Sequence, residues 1–137
     1  MLSVTKSFSW SMAHRLGHGY RGKCAALHGH NYRAEVTVAG RLDAYGMVVD
    51  FDVIKQGAQA WVMEHLDHGV VIAAHDTELL AWAQQYLQKH YLLPAVYANS
   101  TAEVLAQLLA SVVPLGFPIQ RVRVYETADC WAEWNAE

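Results

Sequence analysis

At residues 24–32 the sequence reads Cys24-Ala25-Ala26-Leu27-His28-Gly29-His30-Asn31-Tyr32. Side chains alternate across a β-strand, so an extended chain here places His28 and His30 on the same face. Apolar side chains continue at the even positions through Val38, which is typical of a half-buried strand. Two imidazoles on one face predict two ligands of a metal site that needs a third.

A second strand, predicted over residues 3–14, offers that third ligand. Its even positions are Phe8, Trp10, Met12 and His14, so the histidine ends an apolar face. If the two strands pair antiparallel around the intervening loop, the end of the first lies beside the start of the second. His14 then comes close to the other two histidines. Three imidazoles bind Zn²⁺ and leave a fourth position open, the pattern of catalytic rather than structural sites.

The connecting residues 15–27 contain three glycines and several basic side chains, which predicts a long basic loop. Cys24 in this loop has two interpretations. It could be the fourth ligand of a structural zinc site, or a thiol with a lowered pKa that acts as a base or nucleophile. In the second case, Asp67-His68 could orient and polarise the thiol, as an acid–histidine pair does in hydrolytic triads.

Elements along the remainder of the chain follow from periodicity and capping signals. Asp50 is predicted to cap a helix over residues 51–66, and Asp76 to cap a second over 76–92 that Pro94 ends. Ser100-Thr101-Ala102-Glu103 reads as a capping box in which the serine caps a helix over 101–113. Further strands are predicted at 47–49, 120–126 and 130–134, with a break at 114–118.

Glu126 stands at the end of an apolar face that it shares with Val122 and Val124. A carboxylate in such a position needs a partner, because burying a charge without one is costly. It could be paired internally, or it could accept hydrogen bonds from a ligand with two N–H donors.

Composition limits the class of protein. The 137 residues are 53% hydrophobic and 17% charged, which predicts a single domain, residues 1–137, with a sizeable core. The net charge of −3 argues against nucleic-acid or membrane-surface partners. No signal peptide is expected from the first residues, and no apolar run approaches the ~20 residues of a membrane span. With only two cysteines, a cytoplasmic location is expected.

Several motifs together resemble the 6-pyruvoyl-tetrahydropterin synthase family over nearly the whole chain. They are Met12-Ala13-His14-Arg15-Leu16, Lys23 to Tyr32, Gly46-Met47-Val48-Val49-Asp50-Phe51, Leu66-Asp67-His68, Thr101-Ala102-Glu103 and Val122-Arg123-Val124-Tyr125-Glu126-Thr127. Only three residues separate Cys24 from His28, as in the family's bacterial branch that makes 6-carboxytetrahydropterin for queuosine biosynthesis, a tRNA modification pathway.

The resemblance implies a zinc-dependent carbon–carbon lyase. Zinc on the three histidines would hold the side-chain hydroxyls of 7,8-dihydroneopterin triphosphate, and Glu126 would anchor the pterin. The implied products are 6-carboxytetrahydropterin, acetaldehyde and triphosphate. Thr101 and Glu103, from a matching motif, are expected at the substrate. Alternatives are triphosphate elimination by a 6-pyruvoyl-tetrahydropterin synthase, or a non-catalytic zinc module.

Cys24 would be the proton acceptor of this reaction, with Asp67 and His68 as its relay partners. Charge alone makes Arg15, Arg21 and Lys23 candidates for contacts with the triphosphate.

The family's fold is the α+β tunnelling fold. An antiparallel sheet carries helices on one face, and subunit sheets join into a barrel, usually a homohexamer of two trimers. Three departures from the family pattern stand out: Ser100 in place of a proline, Gly69-Val70-Val71-Ile72 in place of an asparagine-bearing segment, and an apparent insertion at 76–92.

Overall fold

The computed structural model describes residues 1–112 and 116–137. Its strands in this part of the chain form one sheet in the order β4-β3-β1-β2-β5-β6. The strands are β1 (Leu2–His14), β2 (His28–Gly40), β3 (Gly69–Ile72), β4 (His90–Leu92), β5 (Ile119–Tyr125) and β6 (Trp131–Asn135). The helices are α1 (Phe51–Ile54, continuing through a π-helical Lys55–Gln59 into Ala60–His65), α2 (Thr77–Tyr86) and α3 (Ala102–Val112).

The long hairpin of β1 and β2 is the central feature of the sheet. Its antiparallel register runs without interruption from Leu2 opposite Gly40 to His14 opposite His28. Alternating apolar residues fix this register, because a slip by one residue would turn every core side chain towards solvent. Lys23–Ala25 forms a short 3-10 turn within the loop that joins the two strands.

The sheet is mixed rather than wholly antiparallel. β1, β2, β5 and β6 pair antiparallel, whereas β3 pairs parallel to both β1 and β4. The parallel pair of β3 and β4 is joined by α2, since parallel neighbours require a crossover connection.

Two helices cover the face of the sheet that carries the even-numbered residues of the hairpin. Ile54, Ala58 and Val62 of α1 are buried there against the strands, together with Leu105 and Leu109 of α3. These stripes match the predicted helical spacing.

The α2 helix packs on the opposite face. Its buried Leu79 and Ala83 form a separate cluster with Val70 and Ile72 of β3, beside Ala13. The expectation that all helices share one face therefore holds for α1 and α3 but not for α2.

The helix predicted over residues 76–92 was too long. It ends at Tyr86, and residues 90–92 form β4, with His90 opposite Val70. Apolar residues continue at helical spacing here, but pairing with β3 decides the conformation, as tertiary context often does over short segments. The strand predicted at 47–49 is also absent, and Val48 and Val49 form a bend.

Two of the three predicted caps are present. The side chains of Asp50 and Asp76 accept hydrogen bonds from the N–H groups of Asp52 (2.9 Å) and Leu79 (3.1 Å). The third assignment was wrong by one residue, because Thr101 rather than Ser100 accepts the N–H of Val104 at 3.3 Å. The predicted end of this helix at 113 and the start of the following break, 114–115, lie outside the described residues.

In the described part of the chain, no helix combines the length and apolar character that crossing a membrane requires.

Candidate active site

Three histidines meet where the hairpin joins its loop. The nitrogen atoms of His14, His28 and His30 that could bind a metal lie within 4.8 Å of one another. His14 and His28 are directly opposite in the β1–β2 register, and His30 follows two residues later on the same face. In the described residues this metal-binding cluster contains the three histidines and does not include Cys24.

The hydrogen bonds of two of these rings define their tautomers. Nδ1 of His14 lies 2.7 Å from the carbonyl oxygen of Ser100, and Nδ1 of His28 lies 2.7 Å from that of Ala26. A carbonyl oxygen only accepts, so each Nδ1 carries the hydrogen and each Nε2 is left with a lone pair. These two Nε2 atoms are 3.1 Å apart. Two lone pairs at that distance repel unless a cation lies between them.

The third ring, that of His30, also has a nitrogen atom available to a metal ion. Nε2 of His30 is buried and has no hydrogen-bonding partner among the described residues. Buried polar atoms are normally paired, so an unpaired one indicates an absent partner. Three neutral imidazole nitrogens suit Zn²⁺ with an open fourth position. The residues therefore fit the metal that the family resemblance implies.

Burial keeps two of the three imidazoles neutral. His14 is only 1% exposed, and this burial, together with the nearby His28 and His30, lowers the pKa of its imidazole to about 4 despite the hydrogen bond to Ser100. Burial also lowers the pKa of His30. Both rings are thus unprotonated at neutral pH, the form that binds a metal.

A pocket of about 270 Å³ opens beside His14. Cys24, Thr101, Glu103 and Glu126 are among its lining residues. Oε1 of Glu126 lies 3.9 Å from Nε2 of His14, and the glutamate side chain is 26% exposed. The structure therefore brings four of the sequence-predicted residues and one metal-ligand candidate to a single cavity.

Glu126 lies immediately after β5, at the end of the face formed by the buried Val122 and Val124. Its backbone N–H donates to the carbonyl of Cys130 at 3.1 Å, which fixes the turn between β5 and β6. The carboxylate is thereby directed towards the pocket while remaining partly solvated. It can accept hydrogen bonds from a ligand without being fully buried.

The Asp67–His68 pair lies elsewhere in the chain. Oδ2 of Asp67 is 2.8 Å from Nδ1 of His68. His68 lines a different pocket, of about 770 Å³, together with Ser11 and Asn31, which are odd-numbered residues of the hairpin. One copy of the chain therefore does not bring this pair to Cys24.

The basic candidates are placed differently from one another. Arg15 donates two hydrogen bonds of 2.7 Å to Asp76 and lies 3.7 Å from Glu78, so its charge is already balanced within the chain. Lys23 is exposed at the start of the 3-10 turn, one residue from Cys24. Of the two, Lys23 is the better placed to meet an external anion.

Two residues near the site were not predicted from the sequence. Ser100 is fully buried, and both its carbonyl oxygen and its hydroxyl (3.2 Å) face Nδ1 of His14. Tyr32 is also fully buried, with its ring centroid 5.3 Å from that of His30. The apolar even positions predicted the burial of Tyr32, but nothing in the sequence links Ser100 to a histidine 86 residues away.

Comparisons with known proteins agree with this fold and site. The family model described as 6-pyruvoyl tetrahydropterin synthase matches residues 3–137. The 6-carboxy-5,6,7,8-tetrahydropterin synthase of Rickettsia bellii is 35% identical over 141 residues, covering 97% of this chain and 99% of that protein. This chain therefore belongs to the 6-pyruvoyl tetrahydropterin synthase family, whose named members are lyases that act on pterins.

Solved structures show the same fold. The uncharacterized protein WS1659 from Wolinella succinogenes superposes with a TM-score of 0.79 at 22% identity, covering 99% of this chain and 98% of that one. The 6-pyruvoyl tetrahydropterin synthase of Caenorhabditis elegans gives 0.69 at 24%, covering 99% and 96%. The predicted tunnelling fold is confirmed, with a mixed sheet.

Proposed function

We propose that this protein is a zinc-dependent 6-carboxy-5,6,7,8-tetrahydropterin synthase. It converts 7,8-dihydroneopterin triphosphate and one water molecule to 6-carboxytetrahydropterin, acetaldehyde and triphosphate, as a step in queuosine biosynthesis. The observation that carries the proposal is the position of Cys24 and Glu126 in one pocket beside a cluster of three histidines that could hold a metal. The relative from Rickettsia bellii, matched over 99% of its length, bears this enzyme's name.

Each residue at the pocket has a separate task. His14, His28 and His30 would hold zinc, which would supply a Lewis acid for oxygen atoms of the substrate side chain. The carboxylate of Glu126 accepts two N–H donors of the pterin ring, an arrangement that fixes the ring's orientation. Cys24 would then accept a proton from the substrate side chain that the pocket holds near it. Thr101 and Glu103 form the wall of the pocket, and Lys23 meets the triphosphate at its entrance.

Asp67 and His68 form the relay that passes this proton on. Because they lie at a different pocket from Cys24 in one chain, the proposal requires the pair from a second copy. The edge strands β4 and β6 give each copy two sheet edges through which to assemble. We place the protein in the cytoplasm as a homohexamer of two trimers, built from single-domain chains.

Product analysis tests the proposal. Zinc-loaded protein incubated with dihydroneopterin triphosphate should yield acetaldehyde and the 6-carboxy product, both identified by mass. Cys24→Ala should abolish turnover while zinc content stays at the wild-type level. Tyr20→Ala is the matched control in the same loop, because Tyr20 is exposed and has no assigned task in this mechanism. Absence of turnover of this compound and of its pyruvoyl and sepiapterin relatives would contradict the proposal.

A second candidate reaction is the formation of 6-pyruvoyl-tetrahydropterin. The description of the matching family model favours it, as does the name of the Caenorhabditis elegans structure. The same assay separates the two reactions, because only carbon–carbon cleavage releases acetaldehyde. The structural-zinc alternative has less support, since Cys24 lies outside the metal-binding cluster in the described residues.

A further inference from the structure

The segment after α2 places an ammonium group at the end of α1. Nζ of Lys89 donates hydrogen bonds to the carbonyl oxygens of Met63 (2.9 Å) and Asp67 (2.8 Å). The last carbonyls of a helix have no partner within the helix and carry partial negative charge, so a cation there is favourable. The methylene stem of Lys89 lies over Gly69, where an added Cβ would come within 3.0 Å of it.

The backbone of Ser11 also holds the Asp67–His68 pair. Oδ1 of Asp67 accepts the N–H of Ser11 at 3.0 Å, and the N–H of His68 donates to the carbonyl of Ser11 at 2.7 Å. His68 has a φ of 60°, a left-handed conformation that non-glycine residues adopt only when their surroundings impose it. Its side chain is nevertheless 80% exposed. The backbone is fixed while the imidazole is presented to solvent.

We propose that Lys89 is a positioning residue that holds the Asp67–His68 pair in this presented orientation. The proposal rests on the proposed function, in which His68 serves Cys24 of a second copy. It gives the segment after α2 a specific task. β4 pairs with β3, with His90 opposite Val70, and this pairing brings the preceding Lys89 beneath residues 67–69.

The charge of Lys89 also acts on the carboxylate. Burial raises the pKa of Asp67, but the N–H of Ser11, the ring of His68 and the charge of Lys89 outweigh burial and lower it overall. Asp67 therefore remains ionised as the partner of His68 Nδ1. Lys89 thus restrains the backbone of the pair and favours the ionised form of the Asp67 carboxyl group.

Amide hydrogen exchange tests the restraint directly. Lys89→Met keeps the stem over Gly69 but removes the charge, and Lys89→Arg restores a donor cation. In Lys89→Met we expect the His68 N–H to exchange about tenfold faster, while the Val36 N–H in the core changes by less than about twofold. Lys89→Arg should return the His68 rate to near the wild-type value. Lys55→Met, an exposed lysine of α1, is the matched control.

Titration of the Asp67 carboxyl group by NMR is the second measurement. Its pKa should rise in Lys89→Met and stay low in Lys89→Arg. Unchanged exchange and titration in Lys89→Met would overturn the proposal. Equal acceleration at His68 and Val36 would also overturn it, because it would show a purely global loss of stability. If Lys89→Met does not fold, Lys89→Gln provides an uncharged side chain for the same measurements.

Turnover separates this inference from the proposed function. With an active wild type, Lys89→Met should lower kcat several-fold and leave KM unchanged. An inactive wild type would refute the proposed function, while exchange and titration would still decide whether Lys89 positions the pair.

Discussion

Lowering the pH should destabilise the metal-free protein through His14. Its imidazole has a pKa of about 4 in the folded protein, below the ordinary value of 6.5. Between these two values the unfolded chain binds a proton that the folded chain does not. The stabilising contribution is therefore fully present above pH 6.5 and is lost as the pH falls towards 4.

The magnitude follows from the two pKa values. Each unit of difference corresponds to about 1.4 kcal/mol, so the full effect is about 3 kcal/mol at low pH and about 2 kcal/mol at pH 5. His14 is 1% exposed, so solvent screening does not reduce this value substantially. His30, whose pKa is also lowered by burial, adds to the decrease in the same direction.

Urea unfolding in the presence of a chelator, repeated between about pH 7.5 and pH 5, measures this decrease. Over this range the free energy of unfolding of His14→Gln should fall by about 2 kcal/mol less than that of the wild type, because glutamine does not titrate. Ser9→Ala, a substitution on the exposed side of the same strand, should keep the full fall. If His14→Gln and the wild type lose stability equally over this range, the reasoning about His14 is wrong.

Three further outcomes are expected. His28→Ala should weaken zinc affinity by at least about tenfold in a chelator competition, since it removes one of three ligands. Asp76→Ala should lower the free energy of unfolding by about 1–2 kcal/mol in urea, because Asp76 both caps α2 and pairs with Arg15. Leu105→Ala should cost about 2–5 kcal/mol in the same assay, since Leu105 is fully buried in the core, and a smaller loss would indicate that the core collapses into the cavity.

Long, regular patterns in the sequence predicted most of the fold. The strands of the central hairpin and the helices α1 and α3 each repeat their apolar residues often enough to define a period. β3 and β4 have four and three residues, too few to show a period, and their conformation depends on pairing with each other. Parallel pairing between distant segments leaves no local pattern, so the mixed sheet was not foreseen.

The part of the site that depends on the register between β1 and β2 was predictable from the sequence. Once β1 and β2 pair antiparallel, alternation alone brings His14 to His28 and His30. The contacts of Ser100 and Lys89 were not predictable, because both residues bond mainly through or to backbone carbonyls, which every residue possesses. The separation of Asp67 from Cys24 also has no sequence signal, since the sequence does not show whether two residues that are far apart along it lie close together in the fold.

The central hairpin also determines the order in which the site can assemble as the chain folds. His14 and His28 are 14 residues apart in sequence, so closing their loop has a small entropic cost and can occur early. The hydrogen bond that His14 donates to Ser100 spans 86 residues and must await the docking of α3. A nascent chain can therefore present a complete set of metal-binding imidazoles before the pocket exists, and metal capture during folding would favour the register on which the later elements dock.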